Sequence, residues 1–159
     1  MIANVYVAFG SNIGDRQAYI DEALKELRSY DEIDVVRVAD SINTKAVTNS
    51  IQPDYLNSAA HLTTIFSLRE FFEVCLLIEQ KLGRKSKHNH DPRTIDIDIL
   101  FFGNIIASED DLIIPHPLLH ERLFVLRPLV QIAPNLNHPL LNVTVNQLYL
   151  EKCEKVLTI

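Results

Sequence analysis

DPRTIDIDILFFGN, residues 91–104, sets two aspartates into a run of isoleucines that otherwise reads as the middle of a β-strand. Aspartate is depleted from strands, so Asp96 and Asp98 call for a reason. A period of two places Ile95, Ile97 and Ile99 on one face and Asp96 with Asp98 on the other, so the isoleucines are expected to bury and the carboxylates to face outward. Same-face neighbours on a strand stand roughly 6.5 Å apart at their Cα atoms, and two carboxylates so placed repel unless a cation sits between or beside them. Magnesium meets that need, because it takes hard oxygen ligands from one or two carboxylates and completes its shell with water and substrate phosphates. A half-exposed strand whose aspartates merely face water shows the same pattern. The residues just upstream weigh against that plainer reading. KLGRKSKHNHDPR, residues 81–93, carries five of the fifteen Lys and Arg residues and two of the six histidines. Arg84, Lys85, Lys87 and Arg93 can each meet a phosphate oxygen, arginine with a planar fork and lysine as a point charge. Cations beside paired carboxylates are what a metal–polyphosphate site requires. Basic residues after a helix also complement its dipole, which is the second reading of this run.

Outward from this strand, the chain alternates strands and helices. NVYVAFG, residues 4–10, alternates Val5, Val7 and Phe9 with Tyr6 and Ala8 and predicts a strand ending at Gly10. Over residues 16–30, Ile20, Ala23, Leu24 and Leu27 recur at the offsets of one helical face. Residues 33–44 and 55–66 are rich in Val, Ile and Thr and read as two strands joined by the polar TNSIQPD loop. Ser67 and Glu70 form a capping box ahead of Phe71, Phe72, Cys75, Leu76 and Leu82, with Gly83 as a stop. The strand at 94–102 follows, and Gly103-Asn104 before IIAS predicts a tight hairpin. Strand, helix, strand, strand, helix, strand is the split βαβ order of an α+β ferredoxin-like fold, an antiparallel sheet with both helices on one face. The rest of the chain holds a Pro115-His116-Pro117 loop, a helical region over 118–132 and a last helix beginning at Thr144.

Composition narrows the class. A length of 159 residues with 47% hydrophobic content predicts one compact domain over 1–159 with a sizeable core. No stretch reaches the roughly 18 uncharged residues of a membrane span, and MIANVYVAFGSN lacks the basic start and cleavage site of a secretory signal, so no membrane association and a cytoplasmic location are expected. The net charge of −6 argues against sequence-independent nucleic-acid binding, while the basic run marks a local anion site. Cys75 and Cys153, far apart and without ligands at metal spacing, read as buried free thiols.

GSNIGDR (10–16), QPDYLN (52–57), DPRTIDIDILFFGN (91–104) and PHPLLHERLFVLRPL (115–129) together resemble the 6-hydroxymethyl-7,8-dihydropterin pyrophosphokinase family of folate biosynthesis, in the right order from Val5 to about Pro134. The resemblance implies an enzyme that moves the terminal pyrophosphoryl group of ATP, its co-substrate, to the hydroxymethyl group of 6-hydroxymethyl-7,8-dihydropterin, releasing AMP with two Mg²⁺ ions. Carried over by motif, Asp96 and Asp98 match the family's metal-holding aspartates. Arg93 and Arg84 match phosphate-contacting arginines of the catalytic machinery, and Lys85 and Lys87 stand beside them. Ile99, His116 and Arg122 match nucleotide contacts. Tyr55 and Phe124 match an aromatic pair that sandwiches the pterin, since a flat heterocycle gains from stacking on both faces. Asn57 matches the amide that reads the ring edge, having both donor and acceptor, and Thr44 and Val47 bound a segment whose backbone meets the pterin. Gly10, Ser11 and Asn12 shape the turn into the first helix near the pterin and are assigned no phosphate.

Overall fold

The structure is a computed structural model that describes residues 1–45, 54–83 and 93–157. Its first strand, β1 (Ala3–Ser11), lies at the centre of the main sheet, paired antiparallel with β4 (Tyr55–Thr64) on one side and β5 (Asp96–Phe102) on the other. β2 (Ile33–Val38) pairs antiparallel with the far side of β4, giving the order β2-β4-β1-β5. With α1 (Arg16–Arg28) between β1 and β2, and α2 (Leu68–Lys81) between β4 and β5, this is the ferredoxin-like arrangement. Asp15 caps α1 by accepting from Ala18 N–H, and the Ser67–Glu70 capping box opens α2 as the sequence predicts.

Both helices pack on one face of the sheet. Ile20, Ala23, Leu24 and Leu27 of α1 and Phe71, Cys75 and Ile78 of α2 bury against Val5, Val7, Phe9, Ile97 and Ile99. The opposite face is covered too. There α3 (Leu123–Ile132) and α4 (Val145–Leu157) bury Leu126, Leu129 and Leu148 against Ala8, Ala59, Leu100 and Phe101, so the sheet is the middle of three layers. Thr144 caps α4: its Oγ1 accepts from Gln147 N–H while Gln147 Oε1 accepts from Thr144 N–H.

Several expectations need correction. The single strand over 33–44 is two: β2 ends at Val38 and a separate β3 (Ile42–Thr44) pairs with the start of β4. In between, Ala39 N–H still donates to the Ala59 carbonyl at 2.8 Å, but side chains take the next partners: Ser58 Oγ donates to the Ala39 carbonyl at 2.7 Å and Gln131 Oε1 accepts from Asp40 N–H at 3.0 Å. β4 stops at Thr64, whose hydroxyl donates to Glu32 O and accepts from Phe66 N–H, turning the chain toward the capping box. Gly103, at φ 53°, makes its turn, yet the chain beyond it does not return along β5. It forms a small hairpin of β6 (Ala107–Glu109) and β7 (Leu112–Ile114) instead. Backbone groups of β5 that a returning strand would use are occupied, Ile97 N–H by the buried Glu79 carboxylate at 2.9 Å and Leu100 C=O by His116 N–H at 3.0 Å. The helical region predicted over 118–132 is a 3₁₀ turn (Leu119–Glu121) followed by α3, broken at the extended Arg122. Cys75 is buried, but Cys153 is partly exposed.

Candidate active site

Asp96 and Asp98 project from β5 on the face opposite α1 and α2, while Ile95, Ile97 and Ile99 bury on the helix side. Their face is not open solvent. α3 begins beside them, so both aspartates are half-buried, with the Asp96 side chain 17% exposed. Arg93 Nη1 donates to Asp96 Oδ2 at 3.2 Å, and the arginine side chain is itself 16% exposed. A charged pair this well screened from water holds its geometry more firmly than a surface pair.

Arg93 is held in turn by Asn12, which is fully buried. Asn12 Oδ1 accepts from Arg93 N–H at 2.8 Å, and Asn12 N–H donates to Arg93 O at 3.1 Å. The turn after β1 therefore sets where Arg93, three residues ahead of β5, sits.

A cleft of about 190 Å³ opens over this face. Asp96, Asp98 and Arg93 line one side, Tyr55, Asn57 and Thr44 the other, and Arg122, Phe124 and Val125 close the end at the start of α3. Asn57 is buried, and its Nδ2 donates to Thr44 Oγ1 at 2.5 Å, which orients the amide toward the cleft wall. Gly10 lies under it: a Cβ there would sit 3.4 Å from Asn57 Oδ1 and 3.5 Å from the Tyr55 ring, so glycine keeps this wall recessed. The Arg122 guanidinium lies over the Phe124 ring, 5.6 Å from its centroid.

A second cleft meets the first at Asp98. It is lined by Phe72 from α2, Ile97 and Ile99 from β5, Asp110, Asp111, Leu112 and Ile113 from the β6–β7 hairpin, and His116 with Pro117 after it. His116 Nδ1 accepts from Leu118 N–H at 3.2 Å, which fixes the imidazole in the loop. Arg69 bridges to Glu109 and to Asp111, at 3.0 Å for the latter, and lies over Phe72, so the hairpin wall is strapped to α2.

The structure thus brings Asp96, Asp98, Arg93, Arg122, Phe124, Tyr55, Asn57 and Thr44 around one cleft and Ile99 with His116 around its neighbour. Arg84, Lys85, Lys87 and Val47 lie outside the described residues. Sequence reading missed Asn12 as a clamp, Glu79 as the anchor of Ile97, Lys45 on the rim of the first cleft and the hairpin wall of the second. Only Asn12 carried a signal, its place in a Gly-Ser-Asn turn.

The fold and site define a ferredoxin-like α+β protein whose acidic edge strand stands between two clefts, one lined by Tyr55 and Phe124 and the other by Phe72, His116 and the β6–β7 hairpin. The family of 7,8-dihydro-6-hydroxymethylpterin-pyrophosphokinase (HPPK) matches residues 6–134, and the chain belongs to it. It is 39% identical over 128 residues to the 2-amino-4-hydroxy-6-hydroxymethyldihydropteridine pyrophosphokinase of Bacillus subtilis, covering 80% of this chain and 77% of that protein. It is 38% identical over 130 residues to the bifunctional protein FolKE of Lactococcus lactis, covering 82% of this chain and 37% of that longer protein. Among solved structures, Plasmodium falciparum HPPK-DHPS, wild type with pteroate, shares the fold, with a TM-score of 0.77 at 14% identity over 98% of this chain and 45% of that one.

Proposed function

We propose that this chain transfers the pyrophosphoryl group of ATP to the hydroxymethyl group of 6-hydroxymethyl-7,8-dihydropterin, giving AMP and the pterin diphosphate of folate biosynthesis. The observation that carries the reading is the place of Asp98 on the wall common to the two clefts. A flat heterocycle fits the first cleft, where Tyr55 and Phe124 supply aromatic rings and Asn57 an amide with both donor and acceptor. A nucleoside fits the second cleft, where Phe72, Ile99 and Leu112 give apolar surface beside His116 and the aspartates of its rim. A triphosphate running from the second cleft toward the first then passes Asp98 and Asp96, with Arg93 and Arg122 beside it.

Two Mg²⁺ ions belong to this reading. Among the described residues no group of three or more His, Cys, Asp or Glu side chains is placed to hold a metal. Two carboxylates are nonetheless the donor set that Mg²⁺ uses when water and phosphate oxygens complete its octahedron, so Asp96 and Asp98 fit it. When bound, the ions neutralise charge on the polyphosphate. Arg93 holds Asp96 and offers further donors to phosphate oxygens, and Arg122 faces the same path from the start of α3. The pterin hydroxyl oxygen attacks the β-phosphorus. Its new O–P bond forms as the bond from the β-phosphorus to the oxygen bridging to the α-phosphorus breaks, AMP leaves with that oxygen, and the hydroxyl proton passes to water. Positioning and charge neutralisation supply most of the acceleration in such transfers. The reading takes the reaction to be cytoplasmic. Among the described residues no helix is long and apolar enough to cross a membrane.

The test is AMP release from ATP with Mg²⁺, with and without the pterin, for wild type and Asp98→Asn. Pterin-dependent AMP from wild type and a loss of about 100-fold or more in the variant are expected, the scale on which one transition-state electrostatic contact acts. Wild-type protein that binds pterin without releasing AMP, or releases AMP regardless of pterin, refutes the reading.

A further inference from the structure

We propose that Arg16 is a positioning residue for the pterin side of the site, holding in one arrangement the strand ends that carry Thr44 and Tyr55. The inference rests on the proposed pterin cleft. Arg16 is the first residue of α1 and closes the GSNIGDR motif, and it does not line either cleft. Its Nη1 donates to Asn43 Oδ1 at 2.6 Å and to the Asp54 carbonyl at 2.8 Å. Asn43 Nδ2 in turn donates to Asp54 Oδ2 at 3.2 Å. One guanidinium therefore joins the end of β3 to the residue that opens β4.

Those ends need such a tie. β3 has three residues and pairs with β4 only through Ile42↔Asn57, Asn43↔Leu56 and Thr44↔Tyr55. So short a strand is weakly held by its ladder alone. Asn43 directly precedes Thr44, which accepts from Asn57, and Asp54 directly precedes Tyr55. A shift of either end moves three residues of the pterin wall. Arginine suits the task because Nη1 of its planar guanidinium holds its two N–H bonds in fixed directions, one toward each acceptor, whereas lysine's ammonium is a rotating point charge. Asn43 and Asp54 are exposed, so the network adds little to global stability; its effect falls on local geometry. The nucleotide side has its own strap in Arg69, on another helix.

The experiment compares wild type, Arg16→Ala, Arg16→Lys and Asn43→Ala. It measures the Kd of 6-hydroxymethyl-7,8-dihydropterin by fluorescence titration, the KM of each substrate in AMP release, and Tm. Arg16→Ala is expected to raise the pterin Kd and KM about three- to tenfold, the range for one or two charge-assisted hydrogen bonds near a surface, while the ATP KM stays within about twofold. Arg16→Lys recovers part of the loss, and Asn43→Ala reproduces it. The inference falls if a folded Arg16→Ala leaves the pterin Kd unchanged or raises both KM values in parallel. Should Arg16→Ala not fold, an unchanged pterin Kd in Asn43→Ala overturns it equally. Wild-type protein that binds no pterin brings down the functional reading itself, whereas wild type that binds pterin together with variants that bind it equally well brings down only the role of Arg16.

Discussion

Replacing Asn12 by alanine tests whether the turn after β1 governs the phosphate end of the site. Asn12 is fully buried, and its Oδ1 is the acceptor for Arg93 N–H at 2.8 Å. Alanine removes that acceptor and leaves the half-buried Arg93 amide without it, which costs about 1–3 kcal/mol. For a chain of 159 residues each kcal/mol moves Tm by about 2–4 °C, so a fall of about 2–12 °C is expected in a thermal melt. The functional effect follows from Arg93, which reaches Asp96 at 3.2 Å from a backbone position that the asparagine sets. A displacement of about 1 Å in a positioned catalytic group costs up to about 100-fold. The kcat/KM for ATP in AMP release should thus fall about 10- to 100-fold, whereas pterin binding, which the proposed reading assigns to Tyr55, Asn57 and Phe124, should change far less. Asn12→Asp keeps the acceptor but buries a carboxylate, so it should recover the stability only in part. If Asn12→Ala melts with wild type and keeps wild-type kcat/KM, Asn12 does not position Arg93.

Phe124→Ala removes one ring face of the first cleft and should weaken pterin binding about two- to tenfold at unchanged ATP KM, given about 0.5–1.5 kcal/mol per aromatic pair; fluorescence titration reads it. Glu79→Ala leaves Ile97 N–H without its acceptor inside the core and should lower the urea midpoint by the equivalent of about 1–3 kcal/mol, while Glu79→Gln, which retains an acceptor, should recover most of it. Burial, and then repulsion from His120, push the His138 imidazole below its usual pKa of 6.5, and its Nδ1 accepts from Leu140 and Leu141 N–H. Because the folded state resists protonation and the unfolded chain does not, this contribution is full above the unfolded pKa and is lost as pH falls below it. Burial and Arg37 shift His61 the same way. Tm should therefore hold from pH 8 to about 7 and decline below about 6.5, with a shallower decline in His138→Ala.

Much of the fold was legible because local chemistry and the global arrangement agree. The Ser67–Glu70 capping box starts α2 where the pattern places it, and Ile20, Ala23, Leu24 and Leu27 bury along one side of α1. The strand and helix order predicts the β2-β4-β1-β5 sheet because a split βαβ chain has few ways to close. What the pattern did not show is where side chains stand in for backbone partners. Ser58 and Gln131 bond the chain at Ala39 and Asp40 and split the strand predicted over 33–44. Glu79 takes Ile97 N–H, and the hairpin expected on β5 moves to β6 and β7. Each of those donors or acceptors is far along the chain from the segment it alters, so no window of sequence contains the cause.

The aspartate pair was readable for a related reason. Alternation holds from Ile95 through Ile99, but the pairing of β1 with β5 then slips, with Val7 opposite Ile99 and Tyr6 opposite Phe101. The extra residue, Leu100, is a β-bulge that shifts the alternation by one. Without it, Phe101 would share the face of Ile97 and Ile99. With it, Leu100 and Phe101 both turn to the side of Asp96 and Asp98 and pack under α3 and α4, while Phe102 returns to the α1–α2 core. The bulge thus gives the acidic face an apolar floor from the very next residues of its own strand. That floor seats the start of α3, and Arg122 and Phe124 reach the cleft from there. A two-residue period reveals the carboxylates because they precede the bulge; it misplaces the aromatics because they follow it.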